Sequence, residues 1–131
     1  MRSPDQPVRI GMLGCGVVGS EVARLILVDT HELSTRAGAK IELAKIAVRE
    51  IRPRPGIPSD LFTLDAMSIV NDPTIDLIIE VMGGIEPARE LILKAISNRK
   101  SIVTANKALL ASHGADLFTA AYAQGEDIYY E

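Results

Sequence analysis

Three glycines near the amino end of the chain have the spacing of a phosphate-binding loop. Gly14, Gly16 and Gly19 follow the apolar run Val8–Leu13, and an amphipathic helical pattern begins at once. In such a loop the first glycine allows a sharp turn, the second lets a pyrophosphate approach the backbone, and the third lets the helix pack closely on the strand. The start of the helix then offers free N–H groups to the phosphates. A strand before the glycines and a helix after them therefore predict a dinucleotide site, and a glycine-rich turn without a ligand is the alternative.

Arginines follow the second predicted strand, residues 41–48, at the point where dinucleotide-binding folds distinguish their cofactors. An acidic residue at this point, about 20 residues past the glycines, holds the ribose 2′-hydroxyl of NAD. Here Arg49, Arg52 and Arg54 supply guanidinium groups that suit the 2′-phosphate of NADP. Glu50 leaves NAD possible, and a solvated loop that is simply rich in arginine is the alternative reading.

Two further strand ends carry residues that could face the cofactor, since ligands of open α/β sheets lie beyond the carboxyl ends of the strands. Gly83 follows one strand and permits close approach of a ligand to the backbone. Lys107 follows the next and could place a cation beside the nicotinamide and a substrate carbonyl, where it would stabilise a developing alkoxide. Thr104 could bond a ribose or amide group or merely end its strand. The alternative for Asn106 is an ordinary turn residue, and the alternative for Lys107 is an ordinary surface residue.

The elements that position these residues alternate between strands and helices. Strands are predicted at residues 8–13, 41–48, 76–82, 101–104 and 127–130, and helices at residues 17–29, 65–70, 87–98 and 112–124. Residues 31–40 are polar and contain Gly38, so a connecting loop is predicted there, and the prolines between residues 53 and 58 exclude regular structure before Asp60. The alternation implies an α/β fold of the Rossmann type, a doubly wound parallel sheet with helices on both faces.

Burial in two of these elements gives further expectations. The apolar residues of the first helix, which are predicted to face the sheet, are Val18, Val22, Leu25 and Ile26. Glu80 lies within an apolar strand and needs a polar partner if it is buried, but the sequence does not identify one.

Composition limits the classes of protein that the chain can belong to. With 131 residues and 47% hydrophobic side chains, it is predicted to form one domain, residues 8–131, after a flexible polar lead-in, residues 1–7. The net charge of −3 and the interspersed charges indicate no nucleic-acid partner and no acidic membrane surface. The single cysteine, Cys15, excludes a disulfide framework and favours the cytoplasm. No apolar run reaches the roughly 20 residues of a transmembrane helix.

Four segments, in their order and spacing, together resemble homoserine dehydrogenase. They are residues 14–19, 47–50, 79–88 and 103–111, which read GCGVVG, AVRE, IEVMGGIEPA and VTANKALLA. The resemblance covers the chain from Val8 onward, and the last two segments are far more specific than the glycine loop. It implies an oxidoreductase that converts L-homoserine reversibly into L-aspartate 4-semialdehyde with NAD(P), on the route to threonine, methionine and isoleucine.

The resemblance also implies roles for individual residues. The family's cofactor-contacting positions fall on Val17, Val18, Arg49, Thr104 and Lys107. Lys107 falls in addition on one of the family's active-site lysines. Glu131 resembles a glutamate that helps to bind a monovalent cation such as sodium, and the whole enzyme is expected to be a homo-oligomer.

The sequence departs from the family in its length. In the family this segment continues into a substrate and dimerisation domain, which is absent here, so the chain is expected to bind the cofactor without turning over homoserine. A module that senses NAD(H) and regulates transport or transcription is the alternative function. Such a module needs the glycine loop but has no use for Asn106 and Lys107, so this pair, together with residues 82–84, favours the enzyme.

Overall fold

A six-stranded parallel sheet forms the centre of the part of the chain that the computed structural model describes, residues 6–130. Its strands are β1 (Val8–Leu13), β2 (Ile41–Ala47), β3 (Phe62–Thr63), β4 (Leu77–Glu80), β5 (Ser101–Thr104) and β6 (Ile128–Tyr130). The helices are α1 (Val17–Val28), α2 (Thr30–Ala37), α3 (Ala66–Val70), α4 (Ala88–Ser97) and α5 (Lys107–Gln124), and a 3-10 turn at Ser59–Leu61 precedes β3.

The order of the strands, β3-β2-β1-β4-β5-β6, places a switch point between β1 and β4. From β1 the chain adds β2 and β3 on one side, and it then returns to add β4, β5 and β6 on the other, with every neighbouring pair parallel. The loops after β1 and β4 therefore diverge and leave a crevice at the carboxyl ends of these strands, where open α/β sheets bind their ligands. The predicted Rossmann-type doubly wound sheet is confirmed.

Helices cover both faces of the sheet, and β1 shows how the sequence specifies this. Met12 and Leu13 are both fully buried. Because successive side chains of a strand point to opposite faces, the two enter different cores. Met12 packs with residues of α1 and β2, whereas Leu13 packs with residues of α3, α4 and α5. The continuous apolar run of β1 thus reflects a strand that is covered on both sides.

Helix α1 presents only part of the predicted face to the sheet, because Ile26 is buried and Val22 packs against the core as predicted, whereas two other residues do not. Its buried residues are Gly19, Ser20, Ala23 and Ile26. Val18 is 60% exposed and Leu25 is 53% exposed, so the prediction that they face the sheet is wrong. A Cβ on Gly19 would lie only 3.0 Å from Gly14 O and from Val81 Cγ2. Because the helix lies so close to the ends of β1 and β4, small residues occupy its inner face at this end.

Helix α2 lies where the sequence predicts a loop, so that prediction is wrong. The helix has no buried residue, and it therefore lacks the apolar stripe by which amphipathic helices are recognised. The sequence features that favour this helix are local. Gly38 ends the helix with a φ of 72°, as C-terminal glycines do, and Arg36 pairs with Glu32 one turn earlier at 2.8 Å.

Two other elements differ from the prediction. Helix α5 begins at Lys107 rather than near residue 112, because the side chain of Asn106 accepts a hydrogen bond from the Leu109 N–H at 3.1 Å and caps the helix. Strand β3 was not predicted, since its two residues, Phe62–Thr63, are too few to show an alternating pattern. The bounds of the remaining predicted elements differ from the structure by at most two residues.

Candidate functional site

The glycine loop turns the chain from β1 into α1 at the switch point of the sheet. Gly14 has a φ of 101°, which L side chains rarely adopt, and a Cβ there would lie 3.1 Å from the carbonyl oxygen of Val81. Gly19 makes the close approach of α1 to the strand ends possible. The sharp turn and the tight helix packing that the glycine spacing predicts are therefore both present.

Gly16 leaves the approach to the first turn of α1 open. A Cβ on Gly16 would meet no atom within 4 Å. Gly16 is also the N-cap residue, so no side chain caps the helix. The next two residues, Val17 and Val18, are 82% and 60% exposed. Unpaired N–H groups at an open helix start bind anions, and this cradle therefore fits the pyrophosphate of a dinucleotide.

An open cleft of about 630 Å³ lies beside the glycine loop. It is lined by residues 14–16 after β1, residues 47–50 at the end of β2 and beyond it, and residues 81–82 after β4, together with Arg52, Arg54, Leu64, Ala66 and Pro87. The volume lies within the range of small-molecule and cofactor sites, about 300–1,000 Å³. The cleft therefore stands at the carboxyl ends of three neighbouring strands and has room for much of a cofactor.

Arg49, Arg52 and Arg54 line this cleft together, as the sequence predicts. Arg54 is already engaged by the protein, because its guanidinium carbon lies 4.8 Å from the centroid of the Phe62 ring and its Nη1 donates to the Glu50 carbonyl at 3.4 Å. The side chains of Arg49 and Arg52 are exposed and bond to none of the residues between 6 and 130. Two of the three guanidinium groups are therefore free to bind an anion.

The proline-rich segment that carries Arg52 is fastened to the rest of the protein. Arg24 of α1 donates from Nε to the carbonyl of Pro55 at 2.7 Å. Ile57 is buried, and its N–H donates to the Arg54 carbonyl at 3.1 Å. Nothing in the sequence indicates the Arg24 contact, which joins residues 31 positions apart. The segment thus forms a fixed wall beside the first turn of α1.

The other predicted site residues of the described chain lie at the ends of β4 and β5, outside the lining of the cleft. Gly83 has a φ of 78° and turns the chain after β4. Lys107 is exposed at the first position of α5, and its side chain bonds to none of the described residues. Thr104 and Asn106 are both buried. Because β4 and β5 are adjacent and parallel, these residues share the edge of the sheet at which the cleft opens.

A buried carboxylate engages Thr104 and Asn106. Glu80 is 0% exposed. Its Oε1 accepts from Thr104 Oγ1 at 2.6 Å, and its Oε2 accepts from the Met82 N–H at 2.8 Å and from Asn106 Nδ2 at 3.5 Å. These bonds supply the partners that a carboxylate in an apolar strand requires. A charged residue in an apolar strand indicates from sequence that Glu80 needs polar partners, but the sequence does not identify Thr104 and Asn106 as those partners.

A second buried charge lies at the amino end of β5, away from the cleft. Lys100 donates from Nζ to the carbonyl oxygens of Asp72 and Ile75 at 2.6 and 2.7 Å. Burial lowers the pKa of Lys100, and the carboxylates of Asp72 and Asp76 oppose this shift. Lys100 therefore fastens the turn before β4 and takes no part in the candidate site.

The predicted cation ligand, Glu131, lies outside the described residues. Among residues 6–130, no group of three or more His, Cys, Asp or Glu side chains could hold a metal ion. Within the same range, no helix combines the length and the apolar character that crossing a bilayer requires.

The chain matches one family of known proteins over most of its length. The model of the family described as the homoserine dehydrogenase NAD-binding domain matches residues 14–131. The homoserine dehydrogenase of Corynebacterium glutamicum is 44% identical over 131 residues, which cover 99% of this chain and 29% of that protein. That of Pseudomonas aeruginosa is 39% identical over 96% of this chain and 29% of its own length. The chain therefore spans 29% of the length of these two relatives.

Solved structures share both the fold and the sequence pattern. A homoserine dehydrogenase from Thiobacillus denitrificans has a TM-score of 0.88 at 39% sequence identity. The match covers 95% of this chain and 29% of the T. denitrificans chain. The enzyme from S. aureus has a TM-score of 0.89 at 36% identity over 97% of this chain and 33% of its own. The open glycine cradle and the family match together show that this chain belongs to the homoserine dehydrogenase NAD-binding domain family.

Proposed function

We propose that the chain is the cofactor-binding part of an enzyme that interconverts L-homoserine and L-aspartate 4-semialdehyde, with NADP as the preferred cofactor and NAD as a weaker one. The observation that carries the proposal is the open glycine cradle beside two free arginines, in a chain of this family. When bound, the nicotinamide of the cofactor supplies the hydride chemistry. The chain's own residues bind the cofactor, orient it and place a positive charge at the reacting end.

The pyrophosphate lies over Gly16 in this proposal, because an added Cβ there meets nothing within 4 Å. Gly14 and Gly19 allow the turn and the close packing that bring the first turn of α1 to the phosphates. Val17 and Val18 contribute main-chain N–H groups, since they are the first two residues of α1 and the first N–H groups of a helix have no partner within it. These donors act as charge-assisted hydrogen bonds, which are about twice as strong as neutral ones.

Arg49 and Arg52 recognise the 2′-phosphate of NADP. Both guanidinium groups line the cleft and lack bonds to the described residues. Arg54 supports them indirectly, because its Nη1 donates to the main-chain carbonyls of Glu50 and Arg52. Glu50 is exposed in the same segment and accounts for residual binding of NAD, since a carboxylate can accept from a ribose 2′-hydroxyl.

Lys107 stands at the reacting end and acts as the catalytic residue. It is exposed at the edge of the sheet beyond β5 and is free of bonds to the described residues. An ammonium group in that place stabilises negative charge as it develops on the oxygen of the substrate. Gly83 gives the cofactor a close backbone approach, and Thr104 and Asn106 hold this end of the site through their buried bonds.

Other features of the whole enzyme remain proposals that follow from the resemblance. They are a monovalent cation such as sodium at Glu131, assembly as a homo-oligomer and a place in the cytoplasm. The 131-residue chain spans 29% of its C. glutamicum relative, and we propose that it binds the cofactor but does not oxidise homoserine by itself.

The preference for NADP is tested by titrating the chain with NADPH and with NADH. The loss of a bidentate phosphate contact costs about 1.5–3 kcal/mol, so Arg49→Ala should weaken NADPH at least about tenfold and leave NADH unchanged. Arg36→Ala is the matched control, because Arg36 pairs with Glu32 on α2 and does not line the cleft. Equal affinities for the two cofactors in wild type and in Arg49→Ala would contradict the proposal.

A further inference from the structure

Glu80 occupies a position that the fold alone would fill with an apolar residue. It lies in β4 after Leu77, Ile78 and Ile79, and it is 0% exposed. Burying a carboxylate is unfavourable, and apolar replacements of similar shape are often neutral or stabilising where all the partners are removed together. An apolar residue would suit this position only if the groups that bond to the carboxylate changed as well, so those groups indicate what Glu80 does.

The two oxygens of Glu80 tie the end of β4 to the end of β5. Oε1 accepts from Thr104 Oγ1 at 2.6 Å. Oε2 accepts from the N–H groups of Met82 and Gly83 at 2.8 and 3.4 Å, which lie in the turn after β4. Oε2 also lies 3.5 Å from Asn106 Nδ2. One buried side chain thus holds the turn at residues 82–84 against the segment that precedes α5.

Asn106 connects the turn after β4 to the start of α5. Its Nδ2 donates to the Gly84 carbonyl at 2.6 Å, and its Oδ1 accepts from the Leu109 N–H at 3.1 Å. Its own N–H donates to Thr104 Oγ1 at 3.0 Å. Lys107 follows directly as the first helical residue. The position of the Lys107 backbone therefore depends on bonds that converge on Glu80.

We propose that Glu80 is a positioning residue for the nicotinamide end of the cofactor site. Its carboxylate acts through Thr104 and Asn106 to set the distance between the turn at residues 82–84 and Lys107. This inference rests on the proposed function, because it requires that the nicotinamide half of the cofactor lies at this edge. The adenosine half lies beside Arg49 in the cleft, whose lining includes neither Thr104 nor Asn106.

The test compares two ligands on the 131-residue chain. NADPH engages both halves of the site, whereas 2′,5′-ADP carries the adenosine and the 2′-phosphate but no nicotinamide. Glu80→Leu removes both acceptor oxygens and should weaken the binding of NADPH about tenfold. This is the change in affinity that corresponds to the loss of one hydrogen bond to a charged group. The same variant should bind 2′,5′-ADP within about twofold of wild type, because the arginine wall is intact.

Glu80→Gln tests rescue by a conservative change. The amide keeps an oxygen for the Met82 and Gly83 N–H groups, and its NH₂ can donate to Thr104 Oγ1, so NADPH affinity should stay within about threefold of wild type. Glu90→Leu, on the exposed surface of α4, is the control for loss of a carboxylate. Urea unfolding of each variant reports on the fold independently.

Each result decides between positioning and a merely structural role. A folded Glu80→Leu chain that binds NADPH like wild type would overturn the inference, and so would equal weakening of NADPH and 2′,5′-ADP. If Glu80→Leu does not fold, Thr104→Val takes its place with the same expected and contrary results. A wild-type chain that binds neither ligand would overturn the proposed function and this inference with it. If wild type binds both ligands and no variant separates them, only the inference about Glu80 fails.

Discussion

Gly16→Ala separates cofactor binding from stability more cleanly than any other change in the glycine loop. The backbone of Gly16 is extended, with φ −78° and ψ −151°, so it does not lie in the left-handed region that favours glycine. An added Cβ meets no atom within 4 Å. The folded protein therefore accommodates the methyl group, and the remaining cost is that of alanine at an N-cap, which is below about 1 kcal/mol when glycine is replaced.

In the proposed binding mode, the methyl group occupies the space through which the pyrophosphate reaches the first turn of α1. Displacing the phosphates should remove one or two charge-assisted hydrogen bonds, at about 1.5–3 kcal/mol each. The dissociation constant for NADPH should accordingly rise about 10- to 100-fold or more, while the free energy of unfolding changes by less than about 1 kcal/mol.

Fluorescence titration with NADPH and urea unfolding measure the two effects on the same preparation. Gly114→Ala is the matched control, because it adds the same methyl group within α5, where the nearest atom is Phe118 Cε2 at 3.9 Å. Gly114→Ala should leave NADPH affinity unchanged and stabilise the protein by about 0.5–1 kcal/mol. If Gly16→Ala binds NADPH as tightly as wild type, the phosphates do not lie over Gly16 and the reasoning is wrong.

Three further predictions concern catalysis, acid stability and turnover. In the full-length enzyme, Lys107→Ala should lower kcat about 100-fold or more with little change in the cofactor KM, and steady-state kinetics with an unchanged kcat would assign Lys107 to binding alone. Hydrogen bonds from Thr74 lower the pKa of Asp72 from its ordinary value of 3.8, so this contribution to stability is present above pH 3.8 and is lost as the pH falls through the lowered pKa. Thr74→Val removes the side-chain bond and should make the free energy of unfolding fall less steeply below about pH 4, and urea unfolding at a series of pH values that gives the wild-type slope would contradict this. Residues 1–131 alone should show no homoserine-dependent reduction of NADP at ordinary enzyme rates of about 1–10³ s⁻¹, and such turnover would place the substrate site within this chain.

The parts of the site that the sequence predicts correctly depend on local chemistry. The turn at Gly14 and the open backbone at Gly16 follow from the absence of a side chain at fixed positions after a strand. The arginines follow β2 directly, so they reach the cleft as soon as the parallel sheet is inferred. The cap at Asn106 is equally local, but an asparagine after a strand is also typical of a turn, so the sequence predicts that α5 begins later than it does.

The parts that the sequence does not predict depend on contacts between distant residues. Thr104 and Asn106 lie 24 and 26 positions from Glu80, and a single sequence contains no record of such pairing. The inner face of α1 depends on how closely the helix approaches Val81, so Val18 and Leu25 are exposed where the apolar pattern predicts burial. Helix α2 has no buried residue, so hydrophobic periodicity could not reveal it.

In the proposed function, NADP binds over the glycine cradle with its 2′-phosphate at Arg49 and Arg52. Amide NMR spectra of the 131-residue chain, recorded during parallel titrations with NADH and NADPH, test this claim residue by residue. Both cofactors should shift the amides of residues 14–19, and NADPH alone should add large shifts at residues 49–52. Identical shifts for the two cofactors at residues 49–52, or largest shifts away from the glycine loop, would contradict the claim.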